Sequence, residues 1–415
     1  MTWQWKRRRC ERHEGHPPND DAPLPGEIDR LVVQQYDPGL KVTIGGIDTC
    51  LRGVLDYAPP GLELAVVGID TSGTAAVGRW QTVQWGNRQI RFLPVAQIDT
   101  TRPKGSVPYS ARLIVGLLRY RIRIPRARSV QAHRVDVGLF ASLLFRGPLV
   151  YCIHTQERGL LGPTSDSYWR FTGGLHERLD RAIVRRATRV IVFNPAYAEK
   201  VRRWNARTVS APTWFDPAVL LPENKAANPY GIVWVGRLEV PKDPELAIRA
   251  FAVLVREVPD EPWTLEVVGS GTLRPVLKAQ IAALQPDVRR RITLRGQLSP
   301  GDVAEARSQS GVLFMTSHAG YEGFPRVLVE GMAAGLPAVV TEGSDTGGLI
   351  QHGVSGFVCG RDPAELAGAV RNARGLDHGK VAEAVAALSA PRVVREVFFP
   401  DSLDSATSGT NGVGR

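Results

Sequence analysis

The chain alternates short β-branched runs with amphipathic helical patterns, and it does so twice. A polar stretch, Pro222-Glu-Asn-Lys-Ala-Ala-Asn-Pro229, separates the two series. In the first half the predicted strands are Leu31–Gln35, Leu62–Gly68, Ile90–Val95, Ser129–Ala132, Leu149–His154 and Val190–Phe193, with a long helix over Tyr168–Ala187. In the second they are Gly231–Val235, Thr264–Val268, Ile292–Arg295, Val312–Met315 and Ala338–Thr341, with helices over Pro244–Arg256 and Leu273–Leu284. Alternation of this kind demands mostly parallel sheets covered by helices on both faces. The expected fold is α/β: two doubly wound, Rossmann-like domains facing across a cleft. In such sheets ligands bind beyond the carboxyl ends of the strands.

The expected division is a basic tail over 1–30, a first domain over 31–221 and a linker over 222–230. A second domain over 231–390 follows, then a helix over 391–400 that packs back, and a Ser/Thr/Gly-rich tail over 401–415. A length of 415 residues exceeds what one core normally supports, which agrees with two domains. Cys10, Cys50, Cys152 and Cys359 show no paired spacing, so neither a disulfide framework nor a zinc motif is indicated. The longest apolar runs, such as Gly138–Phe145, fall far short of the about 18 residues that cross a bilayer. Lys6-Arg7-Arg8-Arg9 is followed by no apolar segment, so no export signal is read, and a soluble cytoplasmic location is expected.

Net charge is +11, and the excess is concentrated. Between Arg112 and Arg128 lie six arginines and no acid, interleaved with Leu, Ile and Tyr. A basic amphipathic stretch of this kind can rest on an anionic membrane surface. It is equally the pattern of a solvated surface helix running into a turn at Pro125. Nucleic acid is not an expected partner, because no helix-turn-helix, zinc finger or aromatic RNA-binding motif is present.

Four constellations carry chemistry. In Tyr321-Glu-Gly-Phe-Pro-Arg-Val-Leu-Val-Glu330-Gly-Met-Ala-Ala-Gly335-Leu-Pro337, Pro325 suits a helix start, while Gly335 and Pro337 suit its stop. Glu322 then sits just before the helix and Glu330 within it. The free N–H groups of the helix start form an anion site fit for a pyrophosphate. Each carboxylate can accept two hydroxyl hydrogens, as a sugar or ribose diol requires. A capped surface helix bearing two ordinary acids would look the same.

In Gly231-Ile-Val-Trp-Val-Gly236-Arg237-Leu-Glu-Val-Pro-Lys242, a strand ends in a glycine turn that presents two cations, suited to a leaving pyrophosphate. Either cation alone is also an unremarkable loop residue. Gly269-Ser-Gly271 and Gly45-Gly46 are further turns that permit close approach to phosphate, weak signals by themselves. His154 and His133 end neighbouring strands, where an imidazole can be catalytic or simply structural.

In this order the motifs resemble the retaining glycosyltransferase family 4, whose fold is GT-B. The resemblance covers roughly Leu31 to Phe398 and is tightest from Gly231 to Val358; its most specific element is Glu-x7-Glu with its Gly-Phe-Pro and Met-Ala-Ala-Gly-Leu-Pro surroundings. It implies an acceptor-side first domain and a donor-binding second one. It also implies roles: Glu322 on donor-sugar hydroxyls, Glu330 on the ribose, Arg237 and Lys242 on the pyrophosphate. Gly236, Gly269, Gly271, Gly323, Phe324 and Pro325 would line the donor site, backbone near Gln297 and Leu298 would meet the base, and Gly45 and Gly46 would cover the phosphates. His154 would lie near the anomeric carbon.

The implied reaction moves a hexosyl unit from a GDP- or UDP-sugar to a glycan, lipid-linked or small-molecule hydroxyl, in cell-surface polysaccharide or glycolipid assembly. The nucleotide-sugar is a co-substrate, no cofactor is implied, and the absence of Asp-x-Asp argues against an obligatory metal. Three departures stand out: Ser317-His-Ala-Gly-Tyr is longer than the family's form, Asp243 replaces the usual glycine, and the turn Gly343–Gly348 differs. A GT-B sugar-nucleotide epimerase and a non-catalytic nucleotide-sugar binder are the alternative readings.

Overall fold

A computed structural model describes residues 27–39, 46–73, 75–99, 108–154, 173–220 and 228–400. Gly45, most of the two tails, and residue 221 with 222–227 of the polar stretch lie outside the described residues. Among the described residues no helix is long and apolar enough to cross a membrane.

The chain divides into two compact units. Of the described residues, the first unit holds those up to 41 together with 61–132 and 136–148; the second holds 42–60, 133–135 and those from 149 onward. The first unit carries β1 (Ile28–Val33), β2 (Leu64–Asp70), β3 (Gln81–Trp85), β4 (Arg88–Gln97) and β5 (Ala127–Ala132), in the order β3-β4-β2-β1-β5. β1 begins inside the stretch expected to be a tail, at Ile28 rather than Leu31. Its neighbours β2 and β5 run parallel to it, with Leu31 opposite both Ala65 and Val130. Every residue of β2 is buried, as a central parallel strand covered on both faces requires. β3 returns antiparallel to β4 through a tight turn at Gly86, whose φ of 54° suits a residue without a Cβ.

The second unit carries β6 (Leu149–Ile153), β7 (Arg189–Val192) and β8 (Thr208–Ser210), all parallel. It also holds a fully parallel six-stranded sheet of β9 (Asn228–Val235), β10 (Thr264–Val268), β11 (Ile292–Gly296), β12 (Ser310–Met315), β13 (Ala338–Thr341) and β14 (Gly356–Cys359). The order is β11-β10-β9-β12-β13-β14, so the chain winds outward from β9 in one direction and then reverses to β12. That reversal creates a switch point at the carboxyl ends of β9 and β12, where a Rossmann sheet takes its ligand.

Helices cover both faces. The helix Pro244–Glu257 shows how the sequence fixes one of them: Asp243 caps it, Pro244 starts it, and Leu246, Ile248, Phe251, Leu254 and Val255 are buried at helical spacing. Each such large side chain stabilises the fold by about 1.5–3 kcal/mol. The last helix, Ala390–Phe398, buries Val393, Val394, Val397 and Phe398 and packs on the helix Gly46–Tyr57. At its start Phe215 N donates to the Leu388 carbonyl, and the Phe215 carbonyl accepts from Ala390 N. Phe398 meets Trp214 edge-on at 5.9 Å. The architecture is therefore mixed α/β with two parallel-sheet, Rossmann-like domains.

Candidate active site

The switch point gathers residues from the ends of β9 and β12. Beyond β9 the chain turns through Gly236 and Arg237 into a short 3-10 turn, Val240–Lys242. Beyond β12 it runs through Thr316 and Ser317, both fully buried, to Tyr321 and Glu322. The Lys242 ammonium donates to Glu322 Oε1 at 2.5 Å, and the Ser317 hydroxyl donates to the same oxygen at 2.6 Å. Both members of the ion pair are largely buried, at 15% and 10% side-chain exposure. Arg237 is hydrogen-bonded to the Tyr321 hydroxyl, and Lys242 lies 5.7 Å from the centre of the Tyr321 ring. Two cations, a carboxylate and a phenol thus share one small region.

The turn is held from beneath. Trp234 Nε1 donates to Thr316 Oγ1 at 3.0 Å, and that hydroxyl lies 3.0 Å from the Lys242 carbonyl and 2.7 Å from that of Asp243. Asp243 occupies the left-handed region, φ 40°, alone in this among the described non-glycine residues. Its carboxylate offsets the strain by accepting from Leu246 N at 2.9 Å and pairing with Arg361. Asp243→Ala should therefore cost about 1–2 kcal/mol in denaturant unfolding through the lost cap, and Asp243→Gly distinctly less, because glycine accepts this φ. Equal losses for the two variants would show that the backbone angle is unimportant.

The helix Arg326–Ala333 starts behind Pro325 with no side-chain cap, which leaves its first N–H groups available to a ligand. Glu330 on this helix pairs with Arg307, whose side chain is 6% exposed. Glu322 and Glu330 are both in place at the helix, but each already has a cationic partner. Gly323 is wedged against β6: a Cβ there would lie 2.1 Å from the His154 carbonyl oxygen. Its own carbonyl accepts from Asn194 Nδ2 at 3.0 Å and Thr346 Oγ1 at 2.6 Å. Phe324 packs against Gly347. Gly269 makes a similar close approach, since a Cβ would fall 1.8 Å from the Gly236 carbonyl oxygen; Gly271 abuts Leu238. Ser270 Oγ donates to Gln297 at 3.3 Å, and Leu298 packs into the core beside it.

His154 Nε2 and His133 Nδ1 are 2.7 Å apart, and the His154 ring stacks on Phe193 at 4.6 Å. Burial, with Arg326 nearby, lowers the His154 pKa to about 3, and burial followed by the charge of its neighbour pushes His133 well below its ordinary value. Both rings are therefore neutral at physiological pH. One ring nitrogen of His154 is committed to His133, a coupling that spacing in the sequence does not reveal. Gly46 is the first residue of its helix.

Ser317, Arg307 and Tyr321, which the sequence does not single out as site residues, contact Glu322, Glu330 and Arg237. Arg326 donates to the Trp214 carbonyl at 3.1 Å and lies 5.2 Å over the Trp214 ring. Tyr321 sits in the lengthened segment before Glu322, and that departure was the available signal.

Residues 229–374 match the family model described as glycosyl transferases group 1. An uncharacterized glycosyltransferase of Haemophilus influenzae is 32% identical over 153 residues, 36% of this chain and 41% of that protein. The match thus spans about two fifths of that relative's length. Among solved structures, sucrose-phosphate synthase from Thermosynechococcus elongatus superposes with a TM-score of 0.71 at 17% identity, covering 92% of this chain and 100% of its own. Anabaena HepE in complex with UDP-glucose gives 0.60 at 20% identity, covering 92% and 99%. The fold is GT-B.

Proposed function

We propose that the chain is a retaining, metal-independent glycosyltransferase of family 4 that moves a hexosyl unit from a nucleotide-sugar to an acceptor hydroxyl. The observation that carries this reading is the convergence at the β9–β12 switch point of Arg237, Lys242 and Glu322 beside an uncapped helix start. The group 1 match over 229–374 and the UDP-glucose bound by HepE support a nucleoside diphosphate as the donor's leaving group.

The helix N-terminus and the two cations would hold the pyrophosphate and stabilise the negative charge that grows as the C1–O bond to it breaks. These fixed cations supply what a divalent metal supplies elsewhere. Glu322 would accept from sugar hydroxyls and Glu330 from the ribose, with Arg307 orienting the latter carboxylate. For retention without a covalent intermediate, the acceptor oxygen would attack the face the diphosphate leaves. Its proton passes to the departing phosphate oxygen. The His154 imidazole, neutral and held by His133, would border the anomeric carbon without carrying charge to it.

A thermal-shift screen with UDP, GDP and ADP and their sugar conjugates tests the donor site. At 100 times its dissociation constant a ligand adds about 2.7 kcal/mol, a rise of several degrees. A rise with one base names the donor nucleotide; no rise with any of them on folded protein sinks the reading.

The acceptor is proposed to be lipid-linked or another glycan at the inner face of the cell membrane. In the first unit the helix Tyr109–Arg119 and the 3-10 turn Arg121–Arg123 present Val115, Leu118 and Ile122 outward, the last 94% exposed, among exposed Arg119, Arg123 and Arg126. Apolar side chains standing in a field of arginines favour the membrane reading over a merely solvated helix. The protein should sediment with anionic vesicles at low salt and not with neutral ones. Arg126→Ala should weaken this about fivefold, at about 1 kcal/mol per cation. Equal sedimentation with both vesicle types would remove the membrane from the proposal.

A further inference from the structure

Cys50, His133 and His154 belong to three separate elements, yet their ligand atoms all lie within 4.8 Å of one another. Cys50 is in the second turn of the helix Gly46–Tyr57, His133 follows β5 and His154 follows β6. Cys50 is 1% exposed and His133 4%. We infer that these three side chains form a binding site for a thiophilic divalent cation of the zinc class, which the proposed transfer reaction does not require.

The donor set decides the class. One thiolate and two imidazoles suit zinc and its borderline-soft neighbours, whereas magnesium and calcium require oxygen ligands, and no carboxylate belongs to the group. Three protein ligands leave a fourth position for water, the arrangement of exchangeable zinc sites. Tetrahedral coordination with bonds of about 2.0–2.3 Å needs ligand atoms roughly 3.3–3.8 Å apart. The two ring nitrogens at 2.7 Å must therefore separate by under about 1 Å, while the sulfur, within 4.8 Å of both, has at most about 1.5 Å to close. On binding, the Cys50 thiol releases one proton to solvent and the sulfur donates its lone pair. The N–H proton now held between the rings moves to the outer nitrogen of its own ring, so both facing nitrogens become ligands. Burial pushes the Cys50 thiol up to about 12 and Arg326 offsets this only in part, so the thiol gives up its proton to the incoming cation rather than beforehand.

His154 is also the histidine assigned a place beside the anomeric carbon. On the proposed function, occupancy withdraws it and inhibits transfer. That consequence rests on the functional reading; the binding itself does not.

Cobalt(II), titrated into the chelator-treated full chain, reads binding without any substrate. One equivalent should produce visible d–d bands together with a thiolate-to-cobalt charge-transfer band, and zinc should displace both. Cys50→Ala should lose the charge-transfer band while Cys359→Ser keeps it. His133→Asn, which retains a polar group in the buried position but removes one of three ligands, should weaken zinc binding by more than the about 10- to 100-fold that loss of a mere outer-shell partner costs. The site is overturned if the native chain shows no charge-transfer band, if the band survives in Cys50→Ala, or if His133→Asn binds zinc unchanged. Bands accompanied by undiminished transfer establish the metal site and overturn the placement of His154 at the reacting carbon.

Discussion

Replacing Lys242 with alanine is expected to slow transfer about 100- to 1000-fold, the loss seen when one preorganised donor is taken from a developing anion. The charge on the pyrophosphate grows as the glycosidic bond breaks, so the effect should fall on kcat more than on donor affinity. Lys242 also neutralises Glu322 in a pair that is mostly out of water. Its removal takes the cation from a mostly buried carboxylate, to which the Ser317 hydroxyl donates without neutralising it, and folding stability should fall by about 3 kcal/mol. The two effects are separable. In Lys242→Met with Glu322→Gln the uncompensated charge is gone, so stability should largely return while the rate falls well below that of Glu322→Gln alone. Should the double variant be stable and as fast as Glu322→Gln alone, Lys242 is a structural cation and the pyrophosphate is held by something else. Initial rates with the nucleotide-sugar identified by the thermal screen, alongside urea unfolding, distinguish these outcomes.

The strands of the second sheet could be anticipated because β10, β12 and β13 are short and buried over most of their length and β9 carries the buried run Gly231–Trp234, so each announces itself as an apolar run. β3, β8 and β14 were not legible. Gln81-Thr-Val-Gln-Trp85 has a polar residue at every other position or more often, Thr208–Ser210 is only three residues long, and Gly356 opens the last strand. The candidate site is legible as residue types and opaque as pairings. Arg237, Lys242, Glu322 and Glu330 follow from motif spacing, but the Lys242–Glu322 pair depends on β9 and β12 becoming neighbours through a reversal of winding. No local pattern encodes that adjacency. The Arg307–Glu330 pair has the same origin: Arg307 lies on the helix before β12 and reads, in sequence, as an ordinary surface cation. Asp243 shows the converse, a residue whose departure from glycine is visible at once. Its reason, a cap on one side and Arg361 on the other, emerges only in three dimensions.

Gly323 offers the sharpest test of whether the Glu-x7-Glu segment and β6 form one constructed site. Its backbone approaches the His154 carbonyl so closely that a methyl group would sit 2.1 Å from that oxygen, well inside contact distance. Backbone meets backbone here, so no side-chain rotation can relieve the clash. Asn194 and Thr346 both donate to the Gly323 carbonyl, so any shift of the segment strains those two bonds. Gly323→Ala must therefore push Glu322 and the helix start away from His154. Overpacking of this kind costs about 1–3 kcal/mol, a loss the fold should survive. Activity should suffer more: displacement of catalytic groups by about 1 Å lowers rates about 100-fold. The expected result is a folded variant that nucleotide still stabilises but that transfers about 100-fold more slowly, because Arg237 and Lys242 stand on the turn after β9 and not on the segment that moves. A variant as active as the native chain would mean that the close approach of Gly323 to His154 is irrelevant to catalysis. The sugar would then have to be sought away from the end of β6.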